Sequence, residues 1–468
     1  MLMKRLSLAL VPAVLVCAAA PALAANLKDI FRAARLHDMG YRQAGASYRE
    51  ARTLGPEARS AFLPHISAQA NTTYNDLTSS ILGGEAGFIF PSGHFTFNAN
   101  GYGISVTETL LDIRALYAWR AVGATIHAAH QRYALAQSNL VLTVSAQYFA
   151  FLLARDDLRL RRAEKRALRA EYQSALRSFH LGRAPITDAN EARARYEAVR
   201  AATLAARNAV RLARARIERM TGRPADHLWP LNLHHPLLRP HAGTLVTDEA
   251  RALRDNLVLR SARFEARAAA QSAHAAFAAH YPTISAQAGY SYNRADNGEF
   301  GFGTVLRDKT IGLYLTLPIY QGGELSAKSA HASAAAFQAH VAALRVERRV
   351  QFDVRQAFFN VRNDYREIAA LAAAKKAARV ALASERLGMR VGVRNNVDVL
   401  RAEQAYYRSR RDFARATYDY LLSRLELKAA VSHLTAGDIA ELNALLQPPG
   451  APYAPSHGHR PPRRMLRP

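Results

Sequence analysis

Residues 64–75 read PHISAQANTTYN and residues 282–293 read PTISAQAGYSYN; eight of the twelve positions are identical at an offset of 218. The correspondence continues past a polar, Gly-rich stretch that is longer in the first copy, where the offset becomes 209–210. Thr107-Glu108-Thr109-Leu110-Leu111-Asp112 then matches Thr316-Leu317-Pro318-Ile319-Tyr320-Gln321, and Tyr148-Phe149 matches Phe358-Phe359. Gly182, Asp188, Ala192 and Tyr196 match Gly392, Asp398, Ala402 and Tyr406. Self-similarity at a period of about 200 residues marks a chain built from two copies of one unit.

Both quoted segments alternate with period two, the signature of a strand with unlike faces. Ile66, Ala68, Ala70, Thr72 and Tyr74 oppose His65, Ser67, Gln69, Asn71 and Thr73; Ile284, Ala286, Ala288, Tyr290 and Tyr292 oppose a polar set. Return strands are expected over 94–107 and 310–319, the latter setting Ile311, Leu313, Leu315 and Leu317 on one side. The phase of the first return strand changes near Gly101 and Gly103, which reads as a β-bulge. Half-apolar strands of about ten residues have the length that crosses a bilayer when tilted. A soluble sheet would carry the same pattern, so the neighbouring helices decide.

Helices are expected over 26–61, 111–181 and 186–220 in the first copy, and over 244–280, 324–387 and 397–433 in the second. Residues 111–181 contain no proline and one glycine, Gly123. At 1.5 Å per residue this is a rod of roughly 100 Å. Gly182 and Pro185 end it, and Gly388 and Gly392 are expected to end its counterpart. After each break a 4-3 spacing appears: Ala192, Tyr196, Val199, Thr203, Ala206, Val210, Ala213, Ile217, and then Ala402, Tyr406, Ser409, Phe413, Ala416, Tyr420, Ser423, Leu427. A 3.5-residue repeat specifies left-handed coiled-coil packing. One compact bundle does not bury rods of such length. The expected organisation is a first repeat over 25–222, a linker over 223–243, a second repeat over 244–434, and a C-terminal segment with a disordered basic tail over 435–468.

Lys4 and Arg5, the apolar run Leu6 to Val16 and Ala22-Leu23-Ala24 read as a signal peptide spanning 1–24. The one cysteine, Cys17, lies within it, preceded by Val16 rather than the small residue of a lipoprotein signal. Cysteine nucleophiles, disulfides and thiolate metal sites are thereby excluded from the mature chain. No later run of eighteen apolar residues provides a transmembrane helix. The sequence carries 63 Lys and Arg against 37 Asp and Glu, a net +26, or +24 without Lys4 and Arg5. That balance suggests nucleic acid, but the arginines are spread along helical faces of an exported chain, and a solvated helix surface is the better reading. The histidines are scattered, with His234-His235 and His457-x-His459 as weak metal candidates. No Walker, Rossmann or Ser-His-Asp signature occurs, and Gly322-Gly323 reads as a strand-to-helix turn. No enzyme activity, metal or cofactor is expected.

Four strands cannot enclose a lumen, and membrane strands tolerate no open edge, so the chain must associate with itself. Three copies would provide twelve strands.

Leu63-Pro64-His65-Ile66-Ser67-Ala68, Leu317-Pro318-Ile319-Tyr320-Gln321-Gly322-Gly323, Phe179-x-Leu181-Gly182 with Ile186-Thr187-Asp188, and Val397-Asp398-Val399-Leu400 resemble the TolC-type outer-membrane efflux proteins, in matching order from about residue 26 to 447. The resemblance implies a mixed α+β membrane protein. Its homotrimer forms a 12-strand outer-membrane β-barrel, four strands per chain, continuing into a long α-helical coiled-coil tunnel in the periplasm. An equatorial domain is implied around 222–250 and the C-terminus. Implied partners are a periplasmic adaptor, an inner-membrane RND, ABC or MFS pump, and outer-membrane lipid, but no nucleic acid. The implied function is a passive exit duct for efflux or type I secretion; the alternative is a periplasmic coiled-coil scaffold or adaptor without a channel.

By the same resemblance, Asp188 and Thr187 match one side of a periplasmic gate and Arg394 its cationic partner. Asp398 matches the first aspartate of a constriction ring. Two positions depart from the pattern: Met389 stands where the family has a gate tyrosine, and Arg401 where it has a second ring aspartate. Arg401 implies a weaker preference for cations. Asp188 and Asp398 also suit helix capping, each following a break, with Glu191 three residues beyond Asp188.

Overall fold

The computed structural model describes residues 25–80, 93–225, 227–232, 239–240, 243–296 and 302–448. The leader with Cys17, both histidine groupings and the tail from residue 449 lie outside them. The elements are α1 (Leu27–His37), α2 (Met39–Ser60), β1 (His65–Ser79), β2 (Gly93–Leu111), α3 (Ile113–His180), α4 (Ile186–Thr221), α5 (Leu245–Asp255), α6 (Leu257–Ala278), β3 (Thr283–Ala295), β4 (Thr304–Thr316), α7 (Glu324–Arg390), α8 (Asn396–Ala430) and α9 (Ala436–Asn443).

The strands form one antiparallel sheet in chain order, β1-β2-β3-β4, leaving β1 and β4 as its edges. Register places Ile66, Ala68 and Ala70 beside Val106, Ile104 and Tyr102. The same face continues through Ala288, Tyr290 and Tyr292 to Ile311 and Leu313. The opposite face carries Ser67, Gln69 and Asn71 beside Ser105, Gly103 and Gly101. Pairing runs unbroken through Gly101 and Gly103, so the bulge expected there is absent; the register shift falls between Thr109 and Leu111. The phase change is one of side-chain polarity alone: Phe95 and Phe97 share the polar face, while Asn98 and Asn100 share the apolar one. Gly101 serves close approach instead. A Cβ there would lie 2.5 Å from Asn293 Oδ1 and 2.7 Å from Asn71 Oδ1. β4 stops at Thr316 rather than 319 because Pro318 has no N–H to give the ladder.

The single helices expected over 26–61 and 244–280 are each two helices. Asp38 and Asn256 adopt extended backbone at the junctions. Asp38 Oδ1 accepts the Tyr41 N–H at 2.8 Å, and Asn256 Oδ1 accepts those of Val258 and Leu259 at 3.0 and 3.1 Å. A side chain that caps the next helix ends the one before it. The rods are continuous over 68 residues in α3 and 67 in α7, each close to 100 Å long. Gly388 does not break α7, which runs to Arg390. The turns depend on Gly182 and Gly392, at φ +69° and +79°, where a side chain would be strained.

α3 with α4, and α7 with α8, make two long antiparallel pairs that adjoin along α3 and α8. The expected 4-3 seams are the packed faces: Ala192, Thr203, Ala206, Ala213 and Ile217 are buried on α4, and Ala416, Tyr420, Ser423 and Leu427 on α8. The largest core lies midway along α3, where Val144, Tyr148, Phe151 and Leu152 meet Leu27 and Phe31 of α1, Ile217, Leu421, and Ile439 and Leu442 of α9. The linker joins this girdle: Tyr148 Oη donates to Trp229 O at 2.9 Å, and Asn232 N donates to Leu445 O at 2.9 Å.

Candidate functional site

The helical ends remote from the sheet are two turns, 181–185 between α3 and α4 and 391–395 between α7 and α8. They meet through Leu400, fully buried against Leu168, Ala175, Ala189 and Ala192. All six site residues expected from sequence lie at these turns. Thr187 is exposed; Asp188, Met389 and Asp398 are half-buried; Arg394 and Arg401 are exposed.

Asp188 and Asp398 are each the third residue of their helix, not its cap. The cap position before α4 is Pro185, which supplies no side-chain bond, and that before α8 is Asn395, whose Oδ1 accepts the Asp398 N–H at 2.9 Å. In the first turn, both carboxylates complement the positive end of a helix dipole. Glu191 does not close a capping box; it pairs with Arg195 at 2.7 Å.

Within one protomer Arg394 is not paired with Asp188 or Thr187. Its Nε lies 3.4 Å from Glu385 Oε2 on the preceding helix. Gly388 makes room for this arm, since a Cβ there would lie 2.6 Å from Arg394 Cγ. Arg401 has no ion-pair partner among the described residues.

A polar series along α8 was not anticipated from the sequence. Tyr418 Oη donates to Asp156 Oδ2 at 2.8 Å and Arg411 Nη1 to Glu164 Oε2 at 2.6 Å, both joining α8 to α3. Arg386 of α7 binds the fully buried Glu403 of α8. Burial pushes the Glu403 carboxyl above its ordinary value, while Arg386 acts in the opposite direction. Burial and the Asp156 carboxylate likewise push the Tyr418 phenol up. The signal available in sequence was Asp157, Glu164 and Glu171, seven residues apart on one face of α3.

Among the described residues, no three His, Cys, Asp or Glu side chains are placed to hold a metal, and no helix is long and apolar enough to cross a membrane. Among the described residues, the arrangement offers no catalytic constellation. It offers a polar strand face continuous with long helices ending in charged turns.

The chain matches the family described as outer membrane efflux protein over residues 33–223 and 250–433. It is 28% identical over 452 residues to outer membrane protein TolC of Vibrio cholerae, covering 95% of this chain and 99% of that relative. It is 26% identical over 445 residues to the alkaline protease secretion protein AprF of Pseudomonas aeruginosa, covering 94% and 91%. The CmeC outer membrane channel of Campylobacter jejuni has the same fold, with a TM-score of 0.76 at 16% identity over 90% of each chain.

Proposed function

This chain belongs to the outer membrane efflux protein family, a family of channels rather than enzymes, and from that premise we propose that three copies assemble into one exit duct. Twelve strands, four from each copy, close a barrel in the outer membrane. The helices continue it as a periplasmic tunnel, and the two similar halves of the chain are read as a duplication.

The observation that carries this reading is the sheet itself. Its β1 and β4 edges are unpaired among the described residues, and its apolar face is bare: Ile311 is 90% exposed and Leu313 73%. An open edge in lipid costs several kcal/mol for each unsatisfied backbone group, so closure by further copies is required. Tyr102 stacks on Tyr292 at 5.0 Å and Arg307 lies over the Tyr292 ring, as suits an aromatic girdle at headgroup level. α7 also leaves a face uncovered, with Phe352 and Phe359 exposed one heptad apart, where a neighbouring copy would pack.

The duct is passive. A periplasmic adaptor docks its helical end, and an inner-membrane pump of the RND, ABC or MFS type supplies the energy. Efflux of drugs and small molecules and type I secretion of proteins are the two services; the secretion relative AprF motivates the second. At the closed end, Arg394 exchanges Glu385 for Asp188 or Thr187 of a neighbouring copy and latches the tunnel. A periplasmic scaffold without a channel leaves the bare apolar sheet unexplained.

Membrane fractionation with heated and unheated gel samples tests the assembly. An outer-membrane species that runs as an SDS-resistant trimer until heated is expected; a water-soluble periplasmic monomer would refute the duct.

A further inference from the structure

We propose that the helical mouth of this duct is electropositive and favours anionic over cationic solutes; the inference rests on the duct reading above. Residues 175–195 and 385–405, which bracket the two turns, contain eight arginines, no lysine and five carboxylates. Pairing within the protomer does not remove the excess. Arg195 is held by Glu191, Arg386 by Glu403 and Arg394 by Glu385.

What remains is unequal in number and in position. Arg177, Arg183, Arg193, Arg390 and Arg401 are exposed and form no ion pair among the described residues, whereas the remaining carboxylates, Asp188 and Asp398, are half-buried. The helix dipoles do not alter the sign, because each turn joins the negative end of one helix to the positive end of the next. Exchange of Arg394 from Glu385 to Asp188 would leave the net charge of the mouth unchanged. Arg401 decides the case locally: it stands three residues beyond Asp398, about one helical turn, so a cation rather than a carboxylate shares that face.

Assembly multiplies the excess around one narrow opening, where low-dielectric walls focus the field and concentrate counter-ions. The charges are exposed, so the effect must fade with salt: the screening length falls from about 10 Å at 0.1 M to about 3 Å at 1 M. The solutes favoured at this opening are therefore anions, including acidic small molecules and acidic unfolded segments of secreted chains.

The test is the reversal potential of the purified full-length protein in planar bilayers of neutral lipid under a tenfold KCl gradient. Chloride should be preferred to potassium by about two- to five-fold, declining toward parity as both salt concentrations rise. The double variant Arg390→Asp, Arg401→Asp should shift the ratio to parity or to potassium, whereas Arg59→Asp, on α2 far from the turns, should leave it unchanged. Potassium preference in the unaltered protein, or an unmoved ratio in the double variant, would overturn the inference while leaving the duct intact. A protein that forms no pore would overturn the duct and this inference with it.

Discussion

Arg386, half-exposed on α7, closes an ion pair with Glu403 on α8, a glutamate with no surface open to solvent. One charge is free to reach water and the other is not. The glutamate therefore depends on the arginine more than the reverse, and the pair ties the two helices just behind the mouth.

Arg386→Ala should lower stability at neutral pH by about 2–4 kcal/mol, because it leaves a buried carboxylate without its counter-charge. The sign with pH follows from a folded-state value already raised by burial. Removing Arg386 raises it further, so stability is retained below the unfolded glutamate value and lost as pH rises through the folded one. Thermal melting in detergent should show the variant recovering on acidification, and Glu403→Gln in the same background should restore it at neutral pH. A deficit independent of pH would refute the account.

Tyr418 separates hydrogen bonding from packing between the helix pairs. Its hydroxyl binds Asp156, which Arg159 also contacts at 3.0 Å, and its ring is buried. Tyr418→Phe should cost about 1 kcal/mol. Tyr418→Ala should cost about 3–5 kcal/mol, as expected when an aromatic core side chain is deleted. Equal melting shifts for the two would show that the ring contributes little.

On the bare sheet face, Leu313→Arg should cost about 2–4 kcal/mol if the residue meets the bilayer midplane. The SDS-resistant trimer should decrease in the membrane fraction. Gln287→Arg, on the opposite, polar face of β3, should leave assembly unchanged. Similar losses for both would mean that the faces are not divided between lipid and water.

Arg394→Ser should raise ionic conductance in planar bilayers several-fold if the arginine latches the tunnel. Glu385→Gln, which removes only the partner seen within the protomer, should leave conductance near that of the unaltered protein. Unchanged conductance in Arg394→Ser would end the latch proposal.

The 4-3 seams of α4 and α8 were readable because burial at one helix face repeats every 3.5 residues whatever lies beyond it. The second buried face of α8, with Leu400, Glu403, Tyr418, Leu421 and Leu425, was not read. Most of it packs on α3, more than two hundred residues away in sequence, where Tyr418 meets Asp156, while Glu403 pairs with Arg386 of α7; both polar members look like solvent-facing residues until those partners are known. The breaks at Asp38 and Asn256 were missed for a related reason. Neither residue forces a break; each becomes a cap only when the chain must change direction into the girdle.

Local chemistry fixed much of this protein without reference to tertiary contacts. Period-two alternation divides each strand into unlike faces, a positive-φ glycine marks each helical turn, and the arginine excess at those turns is a property of composition. Only the folded chain decided that Arg394 rests on Glu385, that Glu403 is buried, and that the linker pairs with residues 445–447. Those choices depend on which distant groups arrive within a few ångströms of one another, and one-dimensional periodicity carries no record of that.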